Sequence, residues 1–136
     1  MRSDSSVHSW GPTVLRVVVG IVFLAHARQK LFSFGFHGVA GYLGSVGIPL
    51  PAVFAVVLTL VELAGGAALL LGVATRVAAL VLAIDMAVAI LAVHLKGGFF
   101  VPAGIEFTLT LLAANLCLAF TGAGAASVDG MIAKRD

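Results

Sequence analysis

The sequence predicts an all-α integral membrane protein, a four-helix bundle, and three observations carry that prediction. Hydrophobic residues make up 61% of the 136 and charged residues only 10%, where soluble domains carry about 25% charged. The mean hydropathy of +1.16 implies more apolar surface than a chain of this length can hide in its own interior. The apolar residues also fall into four segments, each near the roughly 20 residues that a hydrocarbon core requires. The expected organisation is a polar N-terminal tail over 1–12, a transmembrane domain over 13–121 and a C-terminal tail over 122–136. The four helices are placed at about 13–32, 52–74, 77–95 and 104–120.

Each segment has its own punctuation. Gly11-Pro12 opens the first, since Pro is tolerated at a helix's first position. FGFHGVAGYLGSVGIPLP follows as a Gly-rich connection closed by Pro49 and Pro51. A tight turn around Thr75-Arg76 separates the second helix from the third. KGGFFVPAG separates the third from the fourth, because Gly97, Gly98 and Pro102 break helix. Small residues four apart (Ala64/Ala68, Ala83/Ala87, Ala113/Cys117) suit close packing in lipid, or simply reflect an alanine-rich chain. Residues 14–25 followed by Ala25-His26-Ala27 imitate a signal peptide with its cleavage site, but the basic residues that come next argue against one.

Several function classes are excluded by composition. The net charge of +2 is scattered rather than gathered on one face, so no nucleic-acid partner is expected. A lone cysteine, Cys117, allows neither an internal disulfide nor a CxxC redox pair. There is no metal-ligand spacing and no nucleotide fingerprint. Arg2, Arg16, Arg76, Lys134 and Arg135 fall to one side of the predicted membrane, with Arg28, Lys30 and Lys96 on the other. That bias places both termini in the cytoplasm.

The informative residues are the charges inside the spans. Glu62 and Asp85 lie near the middles of the second and third segments, where an ionisable group costs about 2.5–3.5 kcal/mol even on a lenient scale. Such groups pair, face a wet interior and mark function, or else serve as structural ion pairs. In LAHARQKLF, residues 24–32, His26 and Lys30 are four apart and share a face. Arg28, about 200° from His26 around the helix, points elsewhere and snorkels. His94 ends the third helix and Glu106 begins the fourth, so depth groups His26, Lys30, His94 and Glu106 above Glu62 and Asp85. Asp85 and His94 are nine residues apart, about 180° around a straight helix, which puts Asp85 inside and His94 at the interface. Asn115 is expected to bond between helices, and Phe99 and Phe100 to anchor at the interface or cover a lateral opening.

A patch of His, Lys and carboxylates within a membrane can relay protons or hydrogen-bond a quinone's polar head, and spacing does not decide between them. His26 and His94 are also a formal pair of haem ligands, but no CxxCH or other signal supports haem.

LRVVVGIVFLAHARQKLF, then VELAGGAALLLGVATR, AIDMAVAILAVH, and GGFF followed by IEFTLTLL, in this order, resemble the DoxX family of small four-helix membrane proteins over residues 13 to 121. The family's His-x-x-x-Lys pair falls on His26 and Lys30, its second-helix Glu on Glu62, and its Gly-x-x-x-Arg turn on Gly72 and Arg76. The His that ends the third helix is His94, and the Glu that opens the fourth is Glu106. Ala27 stands where the family often has Gly.

The resemblance implies membrane redox work linked to quinones, as in subunits of thiosulfate:quinone oxidoreductase, tethers of oxidant-defence enzymes, and quinone or electrophile resistance proteins. The expected ligand-binding residues are therefore His26, Lys30, Glu62, Asp85, His94 and Glu106, with a quinone as cofactor. Expected partners are the bilayer of the cell membrane, soluble redox enzymes and a second copy of the chain. Two other readings stay open. One is a non-catalytic scaffold recruiting soluble redox enzymes. The other is a small transporter or proton path.

Overall fold

The computed structural model describes residues 2–135, with side chains from Ser6 onward. Helix α1 runs Arg2–Arg28 and passes into a π-helical segment, Gln29–Phe34. Helix α2 (Gly35–Ser45) follows, then α3 (Pro51–Leu71) and α4 (Thr75–Ala89). A second π-helical segment, Ile90–His94, extends α4 into a short 3-10 turn, Leu95–Gly97. Helices α5 (Glu106–Thr121) and α6 (Val128–Ala133) complete the chain. All described secondary structure is helical.

Three helical stretches are long and apolar enough to cross a membrane: Ser6–Ser45, Pro51–Leu71 and Thr75–Gly97. The fourth, α5, has 16 residues and by itself rises about 24 Å. Burial is inverted relative to a soluble protein. Val14, Ile21, Leu60, Leu80, Ile84 and Phe120 point outward, while Arg16, Thr59, Glu62, Asp85 and Asn115 are buried. An apolar solvent accounts for both halves of that pattern, because polar groups must then find partners inside. The central core is narrow, built on Val19, Phe23, Leu69, Leu82, Leu111 and Leu118.

The most extensive packing is α1 on α3 and α4 on α5. Helices α1 and α3 cross backbone to backbone. A Cβ on Gly20 would lie 2.8 Å from Leu70 N, and one on Gly66 would lie 3.0 Å from Leu24 N. Close approach in lipid, where van der Waals contact replaces the hydrophobic drive, favours such residues. Among the alanine pairs anticipated for this role, Ala64, Ala113 and Cys117 face outward. The glycines make the close crossing instead.

The termini meet at one end of the bundle. Ala125 N–H donates to Ser9 O at 2.9 Å and to Thr13 Oγ1 at 2.9 Å. That contact corrects both expected tails. The 1–12 segment is helical from Arg2, through Pro12, because the returning C-terminal segment docks on it. The 122–136 segment carries α6, whose N-cap Ser127 accepts from Gly130 N–H at 3.0 Å. The first helix also does not end at 32. It continues through the π-helical segment, and Gly35, at φ 69°, redirects the chain into α2, so the Gly-rich connection is itself a helix. The other boundaries shift by a few residues. Helix α3 is closed by Gly72, whose φ of 71° lets Gly72 N–H and Val73 N–H reach the carbonyls of Leu69 and Ala68.

Candidate functional site

Two polar clusters occupy the bundle, one at the termini end and one nearer its middle, and they differ in kind. At the termini end, Arg16 projects from α1 and is 1% exposed. Its Nη1 donates to Leu69 O at 2.7 Å and Leu70 O at 2.8 Å, its Nε to Ala123 O at 2.9 Å, and its Nη2 to Ala126 O. Leu69 and Leu70 close α3, so their carbonyls belong to the group a helix cannot satisfy internally. The negative end of the helix dipole also favours a cation there. One guanidinium thus ties α1, the end of α3 and the 123–126 segment together. Arg76 does the same for α5, its Nη1 donating to Ala119 O at 3.1 Å and Phe120 O at 2.5 Å.

Asp129, from α6, caps a helix other than its own. Ala74 N–H donates to Oδ1 at 2.7 Å and Thr75 N–H to Oδ2 at 2.9 Å, at the start of α4. Burial works to raise its pKa, but the hydrogen bonds from Thr75 and Ala74 and the charge of Arg16 outweigh it and hold the group below its ordinary value of 3.8. A depressed folded pKa contributes stability that is present above the unfolded value and lost as pH falls through the folded one. In detergent, wild type should therefore weaken as pH drops below about 4, the unfolded carboxylate range. Asp129→Ala should show little of that acid dependence and be about 1 kcal/mol less stable near neutrality, the usual worth of a cap. Unfolding midpoints of the two proteins across pH check both points.

The other cluster sits toward the α2 end. Lys30, in the π-helical segment after α1, donates to Glu62 Oε1 of α3 at 2.6 Å. The Glu62 side chain is 5% exposed and that of Lys30 23%. Asp85, buried on α4, lies close enough to Glu62 and Lys30 for their charges to interact. His26, one turn before Lys30, is close enough to feel both charges, and its ring sits 5.5 Å from that of Phe107 on α5. Helix α1 with its π-helical extension, α3, α4 and α5 therefore meet here. Two buried oxygens, Glu62 Oε2 and Asp85 Oδ2, have no hydrogen-bond donor. Beside the cluster, Ala25, His26, Arg28, Gln29 and Ser33 line an open groove of about 350 Å³.

Of the six residues expected to bind a ligand, His26, Lys30, Glu62 and Asp85 come together. His94 and Glu106 instead make their hydrogen-bond contacts with the connecting loop. Val101 N–H donates to Glu106 Oε2 at 3.1 Å, and His94 Nδ1 lies 3.4 Å from Ala103 O. Glu106 thus pins the loop that precedes its own helix. Asp85 is buried and His94 half-exposed, as their spacing suggests. Asn115 is fully buried, but its amide donates to Leu111 O of its own helix at 2.9 Å rather than across helices. Phe99 and Phe100 form an exposed edge-to-face pair.

The Arg16 clamp is the feature that sequence reading missed, having counted Arg16 only as an orientation marker. A signal was present. Thr13, Arg16, Gly20, Phe23, Ala27 and Lys30 recur at three and four residues, the stripe of one helical face. A face that turns Lys30 inward turns Arg16 inward too. Among the described residues no group of three or more His, Cys, Asp or Glu could hold a metal ion.

A bundle of apolar helices with charges paired at its centre is the build of a multi-pass membrane protein, and comparison with known sequences agrees. The DoxX family model matches residues 11–95, more than half of the chain. The chain belongs to the DoxX family. It is 36% identical over 124 residues to a Bacillus subtilis protein named "Putative oxidoreductase CatD", covering 91% of this chain and 88% of that one. It is 34% identical over 143 residues to the Mycobacterium tuberculosis "Uncharacterized membrane protein Rv3486", covering 95% and 87%. The Escherichia coli "Inner membrane protein YphA" is 30% identical over 122 residues, covering 85% and 86%. No solved structure matches the chain.

Proposed function

We propose that this protein is a membrane subunit of a quinone-linked redox system, with the Lys30–Glu62–Asp85 cluster as the binding site for the quinone's polar head. The observation that carries the reading is the pair of buried, donorless oxygens, Glu62 Oε2 and Asp85 Oδ2, beside the ammonium of Lys30. An ammonium has three donors and no acceptor. One hydrogen of Lys30 goes to Glu62, so the others can meet a carbonyl oxygen. The orphaned carboxyl oxygens can accept from a ring hydroxyl. The site is thus equipped for both forms of such a head, and His26 with Phe107 supplies a flat aromatic flank.

A bound quinone would supply two-electron chemistry that no side chain here can perform. The chain's own residues hold and orient the head, keep it out of water, and offer carboxyl and imidazole groups beside it for protons. The apolar flanks of α1, α3 and α5 suit an isoprenoid tail. The relative named as an oxidoreductase adds weight to redox work. We place the shared termini end in the cytoplasm, from the basic residues that flank it.

Mass spectrometry of an organic extract tests the reading, on protein purified in mild detergent beside a Glu62→Gln variant. A quinone near one per chain in wild type, lost in the folded variant, is the expected result. Absence from both, and no uptake when quinone is added back, would sink it. The competing reading is a scaffold, favoured by Arg16, which already uses a buried charge only to tie segments together. The scaffold predicts that Glu62→Gln alters unfolding alone.

A further inference from the structure

The glycines of this protein divide into two kinds. In the body of the bundle they are demanded by close approach. An added Cβ would lie 2.8 Å from Leu70 N at Gly20, 2.9 Å from the Leu82 side chain at Gly65 and 3.0 Å from Leu24 N at Gly66. Helix α2 has four glycines in 11 residues, at 35, 38, 41 and 44, and none meets that condition. A Cβ at Gly35 or Gly41 would touch nothing within 4 Å, one at Gly44 would make ordinary contact with Pro51, and one at Gly38 would meet only Phe34 Cβ at 3.3 Å. Packing does not require them. Gly35 is required by its positive φ, but Gly38, Gly41 and Gly44 each weaken the helix relative to alanine, and a helix this short is marginal without help from its neighbours.

That help comes chiefly from α3, through a small buried patch. Only Val39 and Leu43 of α2 are buried, against Ala55, with Leu58 and Ile48 beside them. Phe36 and Tyr42 are exposed. Both ends of α2 carry positive-φ glycines, Gly35 at 69° and Gly47 at 87°. What α2 covers is informative. The buried residues of α3 are Ala55, Thr59, Glu62, Gly66 and Leu69, one continuous stripe. Helix α2 covers its first position and α1 covers Gly66. Thr59, fully buried, lies between the covered Ala55 and the paired Glu62.

We propose that α2 is a lid, which opens by unwinding and when closed seals the route along α3 from Ala55 past Thr59 to Glu62. The glycines then have a purpose that packing does not give them: they keep the closed helix only marginally formed. Unwinding in hydrocarbon would strand backbone groups, so the lid works at the membrane interface, where His37 and Tyr42 are at home. The route admits a flat lipophilic ring. That last step rests on the reading of the Glu62 cluster as a quinone site; the lid itself does not.

Cysteine accessibility tests the lid separately from the quinone. In a Cys117→Ser background, which removes the exposed native thiol, Thr59→Cys is labelled with a membrane-permeant maleimide. Ala79→Cys, equally buried but on α4, serves as control. Adding Gly41→Ala and Gly44→Ala should slow labelling at position 59 about thirty-fold, the product of two helix-propensity gains, and leave the control unchanged. Labelling at 59 that ignores the two alanines, or that matches the control in rate and response, overturns the lid. Should Thr59→Cys not fold, hydrogen exchange of the α2 amides, with and without the two alanines, decides the same question: exchange that the alanines do not slow overturns the lid. For a labelled quinone the alanines should slow association and dissociation together and leave affinity unchanged. If no quinone binds, the Glu62 reading fails while the labelling result still decides the lid.

Discussion

Arg16→Met should be the most damaging single substitution at the termini end, costing about 3–5 kcal/mol of stability. Methionine restores the volume of the side chain but none of its hydrogen bonds, which go to Leu69, Leu70, Ala123 and Ala126. Those carbonyls are left facing an apolar interior, and a buried group stripped of its partner costs far more than the bond was worth in water. Hydrogen bonds to a charged group stand at the upper end of the usual range, and all four come from one guanidinium, so the loss is not a sum of four independent terms.

Arg16→Lys separates charge from geometry. A lysine keeps the cation at the C-terminal end of α3, yet its ammonium cannot present the planar fork that reaches two segments at once. It should therefore recover less than half of the loss. Equilibrium unfolding in mixed micelles would measure both variants. A cost below about 1 kcal/mol for Arg16→Met would mean that water or lipid headgroups satisfy those carbonyls, and the clamp would not be what joins the segments.

Much of this architecture is legible in the sequence, and what is not legible has physical causes. Four apolar segments, the breaks at Pro51 and Gly72, and the inward turn of His26, Lys30, Glu62 and Asp85 all follow from hydropathy, helix period and the cost of charge in lipid. Helix α2 does not follow, because a segment with a glycine at every third position reads as a loop by propensity and is held helical by two side chains buried on α3. Nor does the helical 2–12 segment, whose docking partner is more than a hundred residues away. The π-helical segments at 29–34 and 90–94 belong to the same class. Each widens its turn beyond the α-helical repeat, and the first carries Lys30 of the polar cluster, which wheel arithmetic on a straight helix cannot anticipate. For Asn115, periodicity found its burial but not its partner, since a buried amide on a helix can bond within its own helix as readily as across.

Lys30→Met is the second large effect, and it bears on function as well as fold. Removing one partner of a buried pair leaves the other uncompensated, at a typical cost of about 3–5 kcal/mol. Here Glu62 and the neighbouring Asp85 would both lose their ammonium. Lys30 is partly exposed, so solvent screening brings the expectation down to about 2–3 kcal/mol. Adding Glu62→Leu to Lys30→Met should return stability to within about 1 kcal/mol of wild type, because an apolar pair of similar volume replaces a buried ion pair at little cost, and Asp85, which loses the ammonium, also loses the like charge of Glu62. The double variant is therefore a folded protein without the Lys30–Glu62 pair. If the pair serves a ligand, this protein should bind no added quinone while unfolding like wild type. If the pair serves only to hold α1 against α3, the double variant should keep every property of wild type, including recruitment of soluble partners. Stability and binding respond differently in the two cases, so a single protein measured twice decides whether these charges exist for chemistry or for packing.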